Sequence, residues 1–447
     1  MSTKESESAH IALNRPGSKP DPAITAPGLT QGRQAMPLSV PLPFLLTAIS
    51  AAALFSVLLP WNISQALLAP NFPHVLALVH MLTLGFLTMA IMGASLQLVP
   101  VIIAGPLRAA RLLRWQYPIY ASGVVLLISG FWWMLPALLI VGGSLIVLAV
   151  FHYIIVLAIT FARADKRPLT VYYLMASLVY LGIVVCLGLT AALNFQFGFL
   201  AAGADRLLLA HITLGVVGWL TTTLMGVSYT LVRLFALAHR HGDRLGRIIF
   251  WLLNTAIVGL ALGFSFAWLP LIIAGGLVLI AAAWLFGYDY LQMLRARYRK
   301  VLDVTQHHAI ASVVYLMFLV PFGISAAIFG WGSPPLLSAL GLAALLGWLG
   351  QSIMGYLYKI VPFLIWHERY GSLVGKQKVP LMREMVHERW AWISWWCINA
   401  GLIALIAAFL LNPPLWIAQC ASAVLAGGCI LAMLNVLGVV RHLKLAS

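Results

Sequence analysis

Charge is what this sequence has least of. Only 9% of its 447 residues are Asp, Glu, Lys or Arg, and the carboxylates number eleven. None of the eleven falls near the middle of an apolar run, which disfavours the buried acid relays on which proton pumps and proton-coupled transporters depend. Cysteine is nearly as scarce: Cys186, Cys397, Cys420 and Cys429 lie in or near apolar runs with no CxxC spacing, and they read as small packing residues. No phosphate-binding loop, HExxH helix or catalytic triad pattern occurs. The segments between apolar runs are too short for a soluble catalytic domain. Residues 1–37 lack the apolar centre of a signal peptide. They are rich in Ser, Pro and Gly with mixed charges, and read as a retained, disordered cytoplasmic tail.

What fills the chain is apolar. Hydrophobic residues make up 62% of it and the mean hydropathy is +0.98, which places it among integral membrane proteins. The runs are long and unbroken, so the spans are helices and not barrel strands. At about 20 residues or slightly more per crossing, the sequence predicts an all-α bundle of twelve spans. The expected limits are 38–60, 74–102, 117–134, 136–161, 170–194, 206–236, 247–267, 269–293, 309–330, 335–365, 391–411 and 414–440. The domain plan is therefore a tail, 1–37, and one transmembrane domain, 38–447.

Lys and Arg cluster after every second span, as with Arg108, Arg111 and Arg114, or Arg240, Arg244 and Arg247. Only Arg206 falls on the other side. The positive-inside rule then predicts that both termini are cytoplasmic. The net charge of +16 follows from this topology and from attraction to anionic membrane lipid, and calls for no nucleic acid.

One phrase occurs three times: GFLTMAIMGASLQLVP at 85–100, GWLTTTLMGVSYTLV at 218–232 and GWLGQSIMGYLYKIVP at 347–362. Gly93, Gly226 and Gly355 align, about 130 residues apart, and Gly85, Gly218 and Gly347 align eight residues earlier. This spacing predicts three pseudo-repeats of four spans, roughly 38–161, 170–293 and 309–440, with the phrase in the second span of each. Taken alone, the phrase is a packing device: glycine lets helices approach closely in lipid, and Met and aromatics fill the gaps.

Three four-span units with special second spans resemble subunit I of the haem–copper oxidase superfamily, nearest its nitric oxide reductase and cbb3-type branches. HMLTLGFLTMAIMGASLQLVP, residues 80–100, resembles that family's second span, with His80 at the position of an axial haem ligand. AHITLGVVGWLTTTLMG, residues 210–226, has His211 near the depth of a metal-binding histidine in the family's sixth span. The resemblance implies a b-type haem near the outer face, the cytoplasmic (inner) membrane of a bacterium as location, and respiratory-chain subunits or a cytochrome c as partners. It also implies a loss. Span seven has no histidine pair, and span ten has no histidine, with Leu342 in the place that matches His80. Reduction of oxygen or nitric oxide by the family mechanism is therefore not expected.

His80 and His211 are the candidate cofactor ligands, each about 10 Å or less below the outer end of its span. The plainer alternative for each is a hydrogen bond to Ser, Thr or a carbonyl of a neighbouring helix. Relative to its glycine, His211 stands two residues earlier than His80, a rotation of about 200° on an α-helix. His74 reads as interfacial and His152 as hydrogen-bonded in the core. His307 and His308 lie at the cytoplasmic mouth of span nine, and His239, His241, His367, His387 and His442 read as lipid-surface charge. Asp289 is expected within reach of Arg295, and Lys359 is expected to snorkel to the interface.

Two further functions remain open from the residues. One is a transporter of copper, haem or another small molecule, or an assembly factor for a respiratory complex. Copper is the weaker expectation, since no MxxxM pair stands beside a His or Cys and packing explains the methionines. The other is a structural subunit without cofactor.

Overall fold

Proline sets where many of these helices begin. Pro41, Pro73, Pro136, Pro270 and Pro334 each occupy the first turn of a long helix, where the missing N–H is no loss and the fixed φ is already helical. The computed structural model describes residues 37–108, 110–200, 203–238, 241–298 and 301–444. The tail expected at 1–37 falls almost wholly outside the described residues.

The main helices are α1 Pro41–Leu68, α2 Pro73–Ile103, α3 Gln116–Trp132, α4 Pro136–Ala162, α5 Leu169–Phe197, α6 Ala204–Ala236, α7 Arg244–Ser265, α8 Leu269–Arg295, α9 Val304–Phe329, α10 Pro334–Leu373, α11 Glu388–Leu411 and α12 Leu415–Gly438. There are no strands among the described residues. Eleven of these helices are long and apolar enough to cross a membrane. The remaining one, α3, has 17 residues and a length of about 25 Å, the shortest of the set. Its outward positions are as apolar as the rest: Val125 is 62% exposed, and Leu148, Trp251 and Phe318 on other helices are similarly open. A surface of this kind suits lipid and not water. The chain is an integral membrane protein.

The structure extends two of the expected spans. Helix α1 runs through Pro60, its expected end, to Leu68, and α10, expected to pass Pro362 and end at 365, continues to Leu373. Within lipid the alternative to a helix is an unsatisfied backbone, so a proline is absorbed inside a span. The weak breaks at Leu135–Pro136 and Leu269–Pro270 are real. Each is a tight hairpin, with Met134 (φ 53°) and Ala267 (φ 52°) in the left-handed region, and Asn412 (φ 48°) turns the α11–α12 hairpin in the same way.

Each repeated phrase lies across a change of helix type. Met81–Thr88 in α2, Thr213–Thr221 in α6 and Ala343–Gly350 in α10 are π-helical, and each returns to α-helix before its Met-Gly pair. A π stretch widens the helix, leaves carbonyls to be met by side chains, and marks functional sites often. The three stretches touch near the centre of the bundle. The Trp219 indole N–H donates to Thr88 Oγ1 (3.0 Å) and the Trp348 indole N–H donates to Thr221 Oγ1 (2.9 Å). At the third seam Phe86 stands where the tryptophan would be and Gly350 where the threonine would be, 3.7 Å from the position a Gly350 Cβ would take.

The phrase glycines fix the neighbours. A Cβ on Gly93, Gly226 or Gly355 would lie 2.7, 2.3 or 2.7 Å from the Cβ of Phe44, Tyr173 or His308. A Cβ on Gly85, Gly218 or Gly347 would meet Ala51, Tyr180 or Tyr315, seven residues further along the same three helices, α1, α5 and α9. Close helix approach through glycine is the packing mode that lipid favours. The hairpins α3–α4, α7–α8 and α11–α12 pack in the same manner on Gly142, Gly275 and Gly401.

Candidate functional site

His80 is the eighth residue of α2 and His211 the eighth of α6, so both sit about 10 Å below the helix start, just ahead of a π-helical stretch. His80 Nδ1 lies 2.7 Å from the carbonyl of Leu76, and His211 Nδ1 lies 3.1 Å from the carbonyl of Val184 on α5. A carbonyl only accepts, so Nδ1 carries the proton in both rings and Nε2 keeps its lone pair. Metal-ligating histidines are held in this state, with the far nitrogen donated to a carbonyl. Phe131 stacks on the His80 ring at 4.9 Å. It covers a face of the imidazole and leaves the ligating edge. On the His211 side, a Cβ on Gly188 would lie 3.1 Å from the ring, so a larger residue on α5 there would press on the imidazole. The two imidazoles lie within electrostatic range of each other.

A second group of polar residues sits lower, on α9, α10 and α11. His308 is fully buried, and not at an open mouth as its position in the sequence suggests. Its partners form a chain. Asn399 Nδ2 donates to the Trp395 carbonyl (2.8 Å), and Gln351 Nε2 donates to Asn399 Oδ1 (2.8 Å). Gln351 Oε1 therefore faces His308 Nδ1, which must donate to it. The chain fixes the tautomer: His308 Nε2 is a bare lone pair, buried with no partner. Leaving such an acceptor dry costs about 1–3 kcal/mol.

A third group, at the end that carries the basic loops, corrects three sequence expectations. Asp289 is fully buried and is not paired with Arg295. It accepts from the Tyr229 hydroxyl (3.0 Å) and lies 2.7 Å from His241 Nε2. His241 is thus drawn in by a buried carboxylate and is not lipid-surface charge. Lys359 does not reach past the protein to the interface; it pairs with Asp303 at 2.5 Å. These pairings lie between residues 48 to 60 apart in sequence, beyond the reach of local pattern. His239 lies outside the described residues. His152 is hydrogen-bonded as expected, its Nδ1 2.6 Å from Gln116 Oε1.

Among the described residues, no group of three or more His, Cys, Asp or Glu is placed to hold a metal ion. No family model matches the chain, and no curated protein matches it.

Proposed function

We propose that this chain is a haem-binding membrane protein on an oxidase-like scaffold that lacks the oxygen- and nitric-oxide-reducing centre. The observation that carries the reading is the shared state of His80 and His211. Both stand at one depth, both donate Nδ1 to a backbone carbonyl, and both keep Nε2 for an axial bond. Neutral imidazole nitrogen is a standard haem donor, and haem supplies a one-electron couple when bound. The matching contacts of Gly93, Gly226 and Gly355 support twelve crossings in three units of four, α3 included. The basic loops on one side support cytoplasmic termini. On this reading the role is electron transfer, sensing, or support of respiratory or nitrogen-oxide metabolism, with a redox subunit or a cytochrome c as partner.

The residues of this chain then have distinct tasks. Leu76 and Val184 orient the rings through their carbonyls, Phe131 holds the His80 ring flat, and Gly188 leaves room for His211. Helix α7 has no histidine and α10 has only His367, in its last turn at the other end from the depth of His80.

The test is the visible spectrum of the purified protein, oxidised and dithionite-reduced, from cells with ample haem. A Soret band with sharp reduced α and β bands, lost in His80→Ala and shifted in His211→Ala, is expected. A colourless protein sinks the haem reading, and copper content with metal-dependent uptake would then decide for a transporter or assembly factor.

A further inference from the structure

Buried polar atoms without a partner are unevenly spread. Among the described residues none precedes Thr223, whereas α9 alone carries three: Thr305 Oγ1, His308 Nε2 and Tyr315 OH. Their spacing of three and seven residues puts them on one face of the helix. Ser312 lies between them on that face, fully buried, and accepts from Ser352 of α10 at 2.8 Å. The helix that faces them across the seam is α10, with Gly355 against His308 and Gly347 against Tyr315. On α11 the Trp395 indole N–H is also unmet, one turn before Asn399.

Tyr180 of α5 shows what Tyr315 lacks. Tyr180 donates to Asn254 at 2.7 Å, and Asn254 returns its own amide to Phe250, four residues back. Asn399 holds its amide in the same way, but its oxygen is taken by Gln351. The Tyr315 hydroxyl is therefore displaced from the partner its counterpart uses. Inside a membrane such groups face lipid-like surroundings unless a polar molecule meets them, and polar side chains there mark functional sites.

We propose that this face of α9 lines a hydrated pocket between α9, α10 and α11, a binding site for water-sized hydrogen-bond donors. Water is its resident ligand. The locked lone pair of His308 accepts an O–H, the Tyr315 hydroxyl extends the chain inward, and Thr305 extends it outward. The mouth lies beside the Lys359–Asp303 pair, whose side chains are 17% and 24% exposed, at the end with the basic loops. The site is independent of the haem reading, since none of its residues touches His80 or His211.

Cysteine reactivity tests this directly, because a thiol in dry apolar surroundings stays protonated and inert. In a chain with its four cysteines replaced by Ala, single cysteines are placed at Ser312 and Ser352 and at Ala48 and Ala90, which occupy the same places beside Gly93. Methyl methanethiosulfonate should modify Ser312→Cys and Ser352→Cys about tenfold faster than Ala48→Cys and Ala90→Cys. Equal rates at all four positions, fast or slow, would overturn the proposal. Hydroxyl-radical footprinting of the unaltered protein gives a second readout without substitution. Tyr315 should be oxidised well ahead of the buried Tyr120 and Tyr153; oxidation of all three at one rate would overturn the proposal as well.

Discussion

The first four helices and the last four are built on the same contacts and filled with opposite chemistry. Along the seam of Gly85 and Gly93 stand Phe44, Ala48, Ala51, Met89 and Ala90. Along the seam of Gly347 and Gly355, in the same places, stand His308, Ser312, Tyr315, Gln351 and Ser352. Ala121 and Asn399 complete the match, each thirteen residues before the left-handed residue of its hairpin. The stretch between them is intermediate, with Tyr173, Ser177, Tyr180, Thr222, Thr223 and Asn254. The backbone frame thus depends on the glycines and tolerates either filling. What the filling changes is hydrogen bonding. The first set is apolar throughout and leaves nothing unmet, while the last is polar and leaves several atoms without partners.

The largest expected effect tests the frame. Gly93→Ala and Gly355→Ala place a methyl 2.7 Å from a neighbouring Cβ in both regions. Each should cost about 3 kcal/mol, the upper part of the overpacking range. Thermal unfolding in detergent should show the two losses to be alike; strongly unequal losses would break the equivalence of the regions.

Exchanging the fillings comes next. Gln351→Met, which puts the residue of the first region into the last, strands His308 Nδ1 and the Asn399 oxygen and should cost about 2 kcal/mol. Met89→Gln buries an amide among apolar neighbours for a similar loss of about 2 kcal/mol. If either exchange leaves the midpoint where it was, hydrogen bonding is not what separates the two regions.

The exchange of smallest effect is a repair. Two of the three central seams have a tryptophan donating to a threonine, and the seam between α2 and α10 has Phe86 and Gly350. Phe86→Trp combined with Gly350→Thr should form the missing bond and raise stability by about 1 kcal/mol. Neither single substitution should do so, and a double-substitution cycle in denaturant would expose any lack of coupling.

Much of this was legible in the residues. The helical membrane class, the hairpins at Met134 and Ala267, and the glycine phrase all follow from apolar run length, proline placement and spacing. The π stretches were not, because nothing in MLTLGFLT distinguishes them from α-helix until neighbours fill the widened turn. The partners of Asp289, His241 and Lys359 were missed for another reason. They lie 48 to 60 residues away in the chain, and only the packed helices bring each carboxylate to its partners. The candidate histidines were found by position alone; that both present a free Nε2 depended on carbonyls at Leu76 and Val184 that no motif announces.

By itself, the sequence determined that this chain enters a membrane, where its helices start, and which glycines let them touch, since each of these is decided by local composition against lipid. The tertiary structure alone decided which imidazole nitrogen is bare, which carboxylate is paired and which hydroxyl is left unmet. Apart from His80, whose acceptor Leu76 is one turn back in its own helix, those depend on donors and acceptors that meet only when distant helices pack, where no water competes for them.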